Sequence, residues 1–356
     1  MKKINFSITA LALFSLALLG QGCFGTSTAP SGPDGGVWKT TDRTETWVNK
    51  RALVAGTKVT TDAGNFAVKA MAFDPQDENA IYLATLEHGL VYTLDGGNSW
   101  QAAGALNKGK INDVAVDPKH KCTVYAVSGN KIYKTETCMR DWNQIFYDAR
   151  TDKSFTQIAV DWFNSTILFS GTSEGDIFKS TDSGKTWTAV TRVEGVDISS
   201  LVIDPRDSRV IYAGTSGDGI WKSLDSGNTW LQIKKQFGDD LRDARKVTQL
   251  VIDPKNSNVL YLVSKLGILK SEDQGETWNA LNLISPPGTV EITALAIDPT
   301  DSNKMVYTGP VTLVLTSDGG KSWSAKKLPT TRGGSALLIS PKNGNTIYLG
   351  TQLRKK

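Results

Sequence analysis

From Gly36 onward the chain is written in short apolar runs separated by polar turns, and the runs recur in a fixed order. The first run of each unit ends in Asp-Pro: residues 70–75 (AMAFDP), 113–118 (DVAVDP), 200–205 (SLVIDP), 249–254 (QLVIDP) and 294–299 (ALAIDP), with 157–162 (QIAVDW) and 336–341 (ALLISP) as variants. A second run follows each, as in 80–85 (AIYLAT), 210–215 (VIYAGT) and 346–351 (TIYLGT), and a third leads into a polar segment closed by Trp. Short runs rich in Val, Ile, Leu and Tyr, bounded by Pro, Gly and Asp, predict β-strands. With one more strand after the Trp, each unit is a four-stranded sheet.

The Trp segment is clearest at 180–187 (STDSGKTW), 223–230 (SLDSGNTW) and 271–278 (SEDQGETW), and recurs at 93–100 (TLDGGNSW) and 316–323 (TSDGGKSW). Two copies are weakened: 40–47 (TTDRTETW) lacks the Gly, and 135–142 (TETCMRDW) lacks both Asp and Gly. The closing residues Trp47, Trp100, Trp142, Trp187, Trp230, Trp278 and Trp323 follow one another at intervals of 42 to 53 residues, the length of one propeller blade. The repeat therefore predicts an all-β chain folded as a seven-bladed β-propeller. The last unit stops after 346–351 without a Trp segment, whereas 35–42 (GGVWKTTD) lines up with 218–225 (DGIWKSLD). One blade is expected to be shared between the chain ends, so that N- and C-terminal strands pair and residues 37–356 form a single ring without an open sheet edge around the circle.

Asp42, Asp95, Asp182, Asp225, Asp273 and Asp318 occupy turns in which a carboxylate can accept backbone N–H bonds. Gly184 suits a positive φ, and the Trp buries a large surface. A structural role accounts for every copy, so these carboxylates are not expected to be catalytic acids. The pattern resembles the Asp-box, or bacterial neuraminidase repeat, whose propellers include sialidases, xyloglucan-cleaving hydrolases, sortilin-type receptors and photosystem II assembly factors. Resemblance to the sialidases would imply six blades and an Arg-Ile-Pro motif, which does not occur in the sequence. The xyloglucan hydrolases imply two tandem propellers with the substrate cleft between them, and this chain has room for one. A single lipid-anchored seven-bladed ring looks most like the photosystem II stability and assembly factor-like proteins, which implies a docking platform without catalysis.

Composition narrows the chemistry. A net charge of +4 on 356 residues gives no basic stripe for nucleic acid, and two His with three Cys leave little material for a His-based triad or a zinc site. No cofactor or metal is expected. Lys2 and Lys3 precede an uncharged apolar stretch, 8–19 (ITALALFSLALL), which reads as an export signal over residues 1–22. Gly22-Cys23 resembles a bacterial lipobox, although Gly20 stands where the family has Leu; lipid on Cys23 would anchor the chain to a bacterial membrane, facing the periplasm or the exterior. Residues 23–36 are rich in Gly, Ser, Thr and Pro and are expected to be a flexible tether. In an exported chain, Cys122 and Cys138, placed symmetrically about the 128–131 turn, are expected to form a disulfide.

A paired-carboxylate hydrolase would need two acids roughly 5 to 10 Å apart. Asp113 is the only acid among the residues expected at the start of the innermost strands, a ring read as a polar, water-lined channel; Glu87, Glu174 and Asp176 are the loop acids that could join it. The variable loops 49–68, 234–246 and 284–291 (ISPPGTVE) should form the recognition face, with Arg51, Lys58, Lys234, Lys235, Arg242, Arg245 and Arg332 as partner-binding candidates. His88 could contact a ligand there. Trp162 replaces the usual Pro and is followed by Phe163; the pair is expected to pack over the base of a blade. The leading expectation is a monomeric, membrane-anchored scaffold that docks a protein or envelope component; the alternative is a glycan-active protein, either a glycoside hydrolase or sialidase-like enzyme, or a lectin-like binder.

Overall fold

The structure is a computed structural model that describes residues 33–55, 58–233 and 243–354. The signal-like segment, Cys23, most of the tether, and Lys234, Lys235 and Arg242 lie outside the described residues.

Seven sheets, antiparallel but for one strand pair, are arranged in a circuit among the described residues. The first, or closing, blade takes its two inner strands, Gly333–Ile339 and Ile347–Gln352, from the end of the chain and its two outer strands, Val37–Thr40 and Val48–Lys50, from the beginning. Trp38 pairs with Leu349 across that seam. The other blades follow in chain order, with innermost strands Val68–Asp74, Asp113–Val116, Phe155–Val160, Ile198–Ile203, Val247–Asp253 and Ala294–Ile297. Innermost strands of consecutive blades touch around the whole circle.

One blade departs from the expected four strands. Residues 49–68 do not form a loop: Ala52–Ala55 and Lys58–Asp62 make a hairpin that docks on the outer edge of the second blade and extends it to six strands. Leu53 pairs with Trp100, and Val54 with Gln101, in parallel. Its Val, Leu and Thr residues carry a strand signal that lies outside the four strands the repeat predicts for a blade.

Seven hydrophobic clusters hold the described residues together, each between two consecutive blades. The inner edges approach closely. A Cβ on Gly171 or Gly214 would sit 2.5 Å from the next blade's Ile198 or Val247, so glycine in these second strands is a packing requirement. Every closing Trp of the repeated segment packs into the cluster shared with the preceding blade, Trp187 with Tyr125 and Phe155 and Trp230 with Phe169 and Leu201 among them. These residues glue blade to blade as well as anchoring their own sheets.

Candidate functional site

Antiparallel order fixes two faces. Turns between first and second strands, and between third and fourth, lie at one end of the ring, here the Asp face; the remaining turns and the connections between blades form the loop face. On the Asp face, Ser180 Oγ donates to Asp182 Oδ1 (2.8 Å) and accepts from Gly184 N–H (2.9 Å). Asp182 also accepts Thr186 N–H (2.9 Å) and the Thr186 hydroxyl (2.6 Å). Asp42, Asp95, Asp225, Asp273 and Asp318 make the same set. The hydroxyl of Thr186, Thr229 or Thr277, with its N–H, holds the facing carboxyl at about 2 in Asp182, Asp225 and Asp273. Such groups stay ionised and have no proton to give at neutral pH.

The 135–142 copy reaches the same turn by other means. Thr137 Oγ1 takes the place of the carboxylate in accepting Asp141 N–H (2.9 Å). Cys138 and Met139 hold the two left-handed positions (φ 51° and 71°) that Ser183 and Gly184 fill elsewhere, and Cys138 is disulfide-bonded to Cys122.

The inner ring corrects the expectation of a water-lined polar channel, because its polar side chains are spent between blades. Asn112 Nδ2 donates to Phe155 O (2.7 Å), Thr156 Oγ1 to Ile198 O (2.6 Å), Ser199 Oγ to Val247 O (2.6 Å), Thr293 Oγ1 to Gly334 O (2.7 Å) and Ser335 Oγ to Val68 O (2.7 Å). Gln249 exchanges two bonds with Leu295, and Ser200 Oγ accepts Leu250 N–H. Five innermost strands carry a register shift, as between Phe155 and Gln157, and in one of them the successive Ser199 and Ser200 both bond to the next blade.

A second belt joins the Asp-Pro turns. Ser208 Oγ donates to Asp161, Ser257 Oγ to Asp204 and Ser302 Oγ to Asp253, all at 2.6 Å, so the hydroxyl four residues after one blade's Asp caps the Asp of the blade before. The sequence carried this signal in the recurring Asp-Pro-x-x-Ser, which the strand reading passed over.

Three of the candidate acids already have partners. Asp113 Oδ2 accepts Ile158 N–H (3.0 Å) from the next blade; burial pushes its carboxyl up to about 6 against the pull of the Ile158 and Val114 N–H groups and of Lys69. Asp176, buried, is ion-paired with Arg150 (2.9 Å) and Arg192 (3.7 Å), while Glu174 lies 3.7 Å from Lys153. Glu87 is exposed in the turn between second and third strands of the second blade. His88 stacks on Phe66, ring centroids 4.7 Å apart.

The candidate cations are dispersed. Arg51 is tied to Asp62 at the base of the extra hairpin, in whose second strand Lys58 lies. Arg332 lies across Gly35 and reaches Asn65 O (3.4 Å). Arg245 is exposed on the loop face.

What the loop face does present is a groove between the sixth and seventh blades. A cavity of about 260 Å³ is lined by Leu266, Leu281, Leu283, Pro286, Val290 and Tyr307. It adjoins a second, of about 340 Å³, which shares Gly288, Val290 and Ile292 and is edged by Lys246, Lys265 and Glu291. Ile284 is 52% exposed at its rim, and Val311 stands exposed in the neighbouring turn. Only the 284–291 segment of this groove was visible in the sequence, because its other wall comes from a different blade. Among the described residues, no group of three or more acids, His or Cys could hold a metal ion.

The family model described as Sortilin, neurotensin receptor 3 (Sortilin-Vps10) matches residues 175–267, a stretch spanning two Asp-box turns. The chain is a seven-bladed Asp-box propeller. Solved structures share its fold at low identity. A xyloglucanase of glycoside hydrolase family 74 from Xanthomonas campestris is 18% identical over 80% of this chain (TM-score 0.65), and the propeller spans about half (51%) of that enzyme. YCF48 bound to a D1 peptide is 19% identical over 81% of this chain and 94% of its own (TM-score 0.59); YCF48 from Cyanidioschyzon merolae is 13% identical over 80% and 95% (TM-score 0.58). Comparison with curated proteins found no match.

Proposed function

We propose that the propeller is a non-catalytic docking scaffold whose loop face takes an extended segment of a protein partner in the groove between the sixth and seventh blades. The carrying observation is the groove itself, apolar along the 281–292 connection and edged by the exposed Lys246 and Lys265. Apolar walls with a few polar groups at one end suit a peptide with aliphatic side chains and an acidic residue. Glu291 and Asp243, the latter 4.0 Å from Lys265, temper that charge without removing it. A fold neighbour, YCF48, has been solved with a D1 peptide, which makes peptide capture a known use of the architecture. The engagement of Glu174, Asp176 and Asp113 with cations or backbone N–H groups disfavours a glycosidase on this face. A lipid on Cys23, followed by the tether, would hold the scaffold at an extracytoplasmic membrane surface.

The test is photo-crosslinking from position 284 or 290 in cells, with Ile284→Asp as the comparison. One dominant crosslinked protein, lost in the variant, is expected. Crosslinks to polysaccharide alone, or an unchanged protein adduct in Ile284→Asp, would overturn the reading.

A further inference from the structure

The opposite end of the ring holds a different cavity. About 250 Å³ in size, it lies at the mouth of the central channel on the Asp face, where the innermost strands of the second to fifth blades end. Its lining side chains are apolar, Ala72, Phe73, Ala115, Val116, Ala159 and Leu201 among them with Trp162 at the lip, while the backbone gives the wall a polar share. The position two residues before the Asp of each turn explains why it opens on this side. That position is Ala72, Ala115 and Ala159 in three consecutive blades and Ala296 in the seventh, but Val202, Val251 and Leu338 in the other three. Small side chains leave room where larger ones would fill it.

The turn over this gap is the one that carries Trp162 where five other blades and the closing blade have Pro. Trp162 is 44% exposed and Phe163 54%, so the pair does not pack down over the blade as the sequence suggested. Lys119, from the preceding blade, places its ammonium on Phe163 O at the same lip, and Arg206, exposed on the fifth blade's turn, reaches Pro254 O of the next blade (3.4 Å). Of the nearby acids, Asp117, Asp161 and Asp204 are buried and occupied by hydrogen bonds, and Asp207 is paired with Arg209. An apolar pit with cations at its rim matches an anionic amphiphile, tail inward and head outward.

We propose that this pit binds one free single-chain anionic amphiphile of the fatty-acid type, with its tail among Ala72, Ala115, Ala159 and Trp162 and its head at Lys119 and Arg206. The site is independent of the loop-face groove. Calorimetric titration of the full chain with monomeric decanoate should show saturable binding at one site. Ala115→Leu with Ala159→Leu, which adopts the residue the closing blade carries as Leu338, should weaken it about tenfold or more, and so should Trp162→Pro if the double variant does not fold. Lys119→Glu with Arg206→Glu should weaken decanoate while leaving neutral decyl maltoside unchanged. Equal decanoate affinity in the folded pit variants would overturn the proposal. So would preference for decyltrimethylammonium, or binding to phosphatidylglycerol vesicles with none to monomeric decanoate.

Discussion

Asp182, Asp225 and Asp273 each hold a pKa of about 2 against the ordinary 3.8, because hydroxyl and backbone donors face the ionised form. A lowered folded pKa contributes stability that is complete above about 4 and disappears as the pH falls through 2. Denaturant titrations should therefore show the propeller losing stability over that window, and Asp182→Asn should flatten the slope there. Asp113 has the opposite sign. Its pKa is raised to about 6, so its ionisation penalises the fold above that pH and not below 4. Asp113→Asn, which keeps an acceptor for Ile158 N–H, is expected to stabilise the protein by about 1–2 kcal/mol at pH 8 and to be neutral at pH 4, as measured by urea unfolding. A catalytic Asp113 would instead show a loss of some hydrolytic activity in the same variant.

At the scale of the element, the third blade shows how a degenerate copy is maintained. Its Trp segment has a hydroxyl for a carboxylate and Met139 at a left-handed φ that favours Gly, yet Cys122–Cys138 clamps the two turns of the Asp face together. Opening that link with Cys138→Ser should cost about 3 kcal/mol. If the link compensates for the missing motif, adding Thr137→Asp and Met139→Gly to Cys138→Ser should restore part of the lost melting temperature, and no recovery would refute compensation. Strand order, the seven repeats and this cysteine pairing were legible in the sequence because each is a local pattern with a fixed period. The belts were not: Thr156 looks like an ordinary polar strand residue and Ser208 like an ordinary polar turn residue until the next blade supplies Ile198 O to the first and the preceding blade supplies Asp161 to the second. The loop-face groove was hidden for the same reason, since Leu266 and Leu283 read as core positions of one blade while Tyr307 belongs to the next. The 52–62 hairpin was missed because its strand signal fell between units that already looked complete.

For the whole molecule, closure is made with the same parts as the matching turn of the fifth blade. Thr215 Oγ1 donates to Gly219 O four residues on (2.9 Å), and Thr351 Oγ1 donates to Gly36 O (3.0 Å) although 315 residues separate them. Asp34 adds bonds to Thr330 and Thr331 beside the seam. A permuted chain, in which a short linker joins residue 352 to residue 36 and new ends open at 129–130, should fold with an unchanged circular dichroism spectrum and bind the same partners. Loss of folding would mean that the seam is more than a broken turn. In the natural order, the seam also sets a schedule. Strand Ile347–Gln352 is synthesised after all the other described strands, and until it arrives Val37–Thr40 has nothing to pair with on its inner side. Six blades can assemble while the closing blade waits, so the nascent protein passes through an open, edge-bearing arc, the stage at which a chaperone or protease has its opportunity.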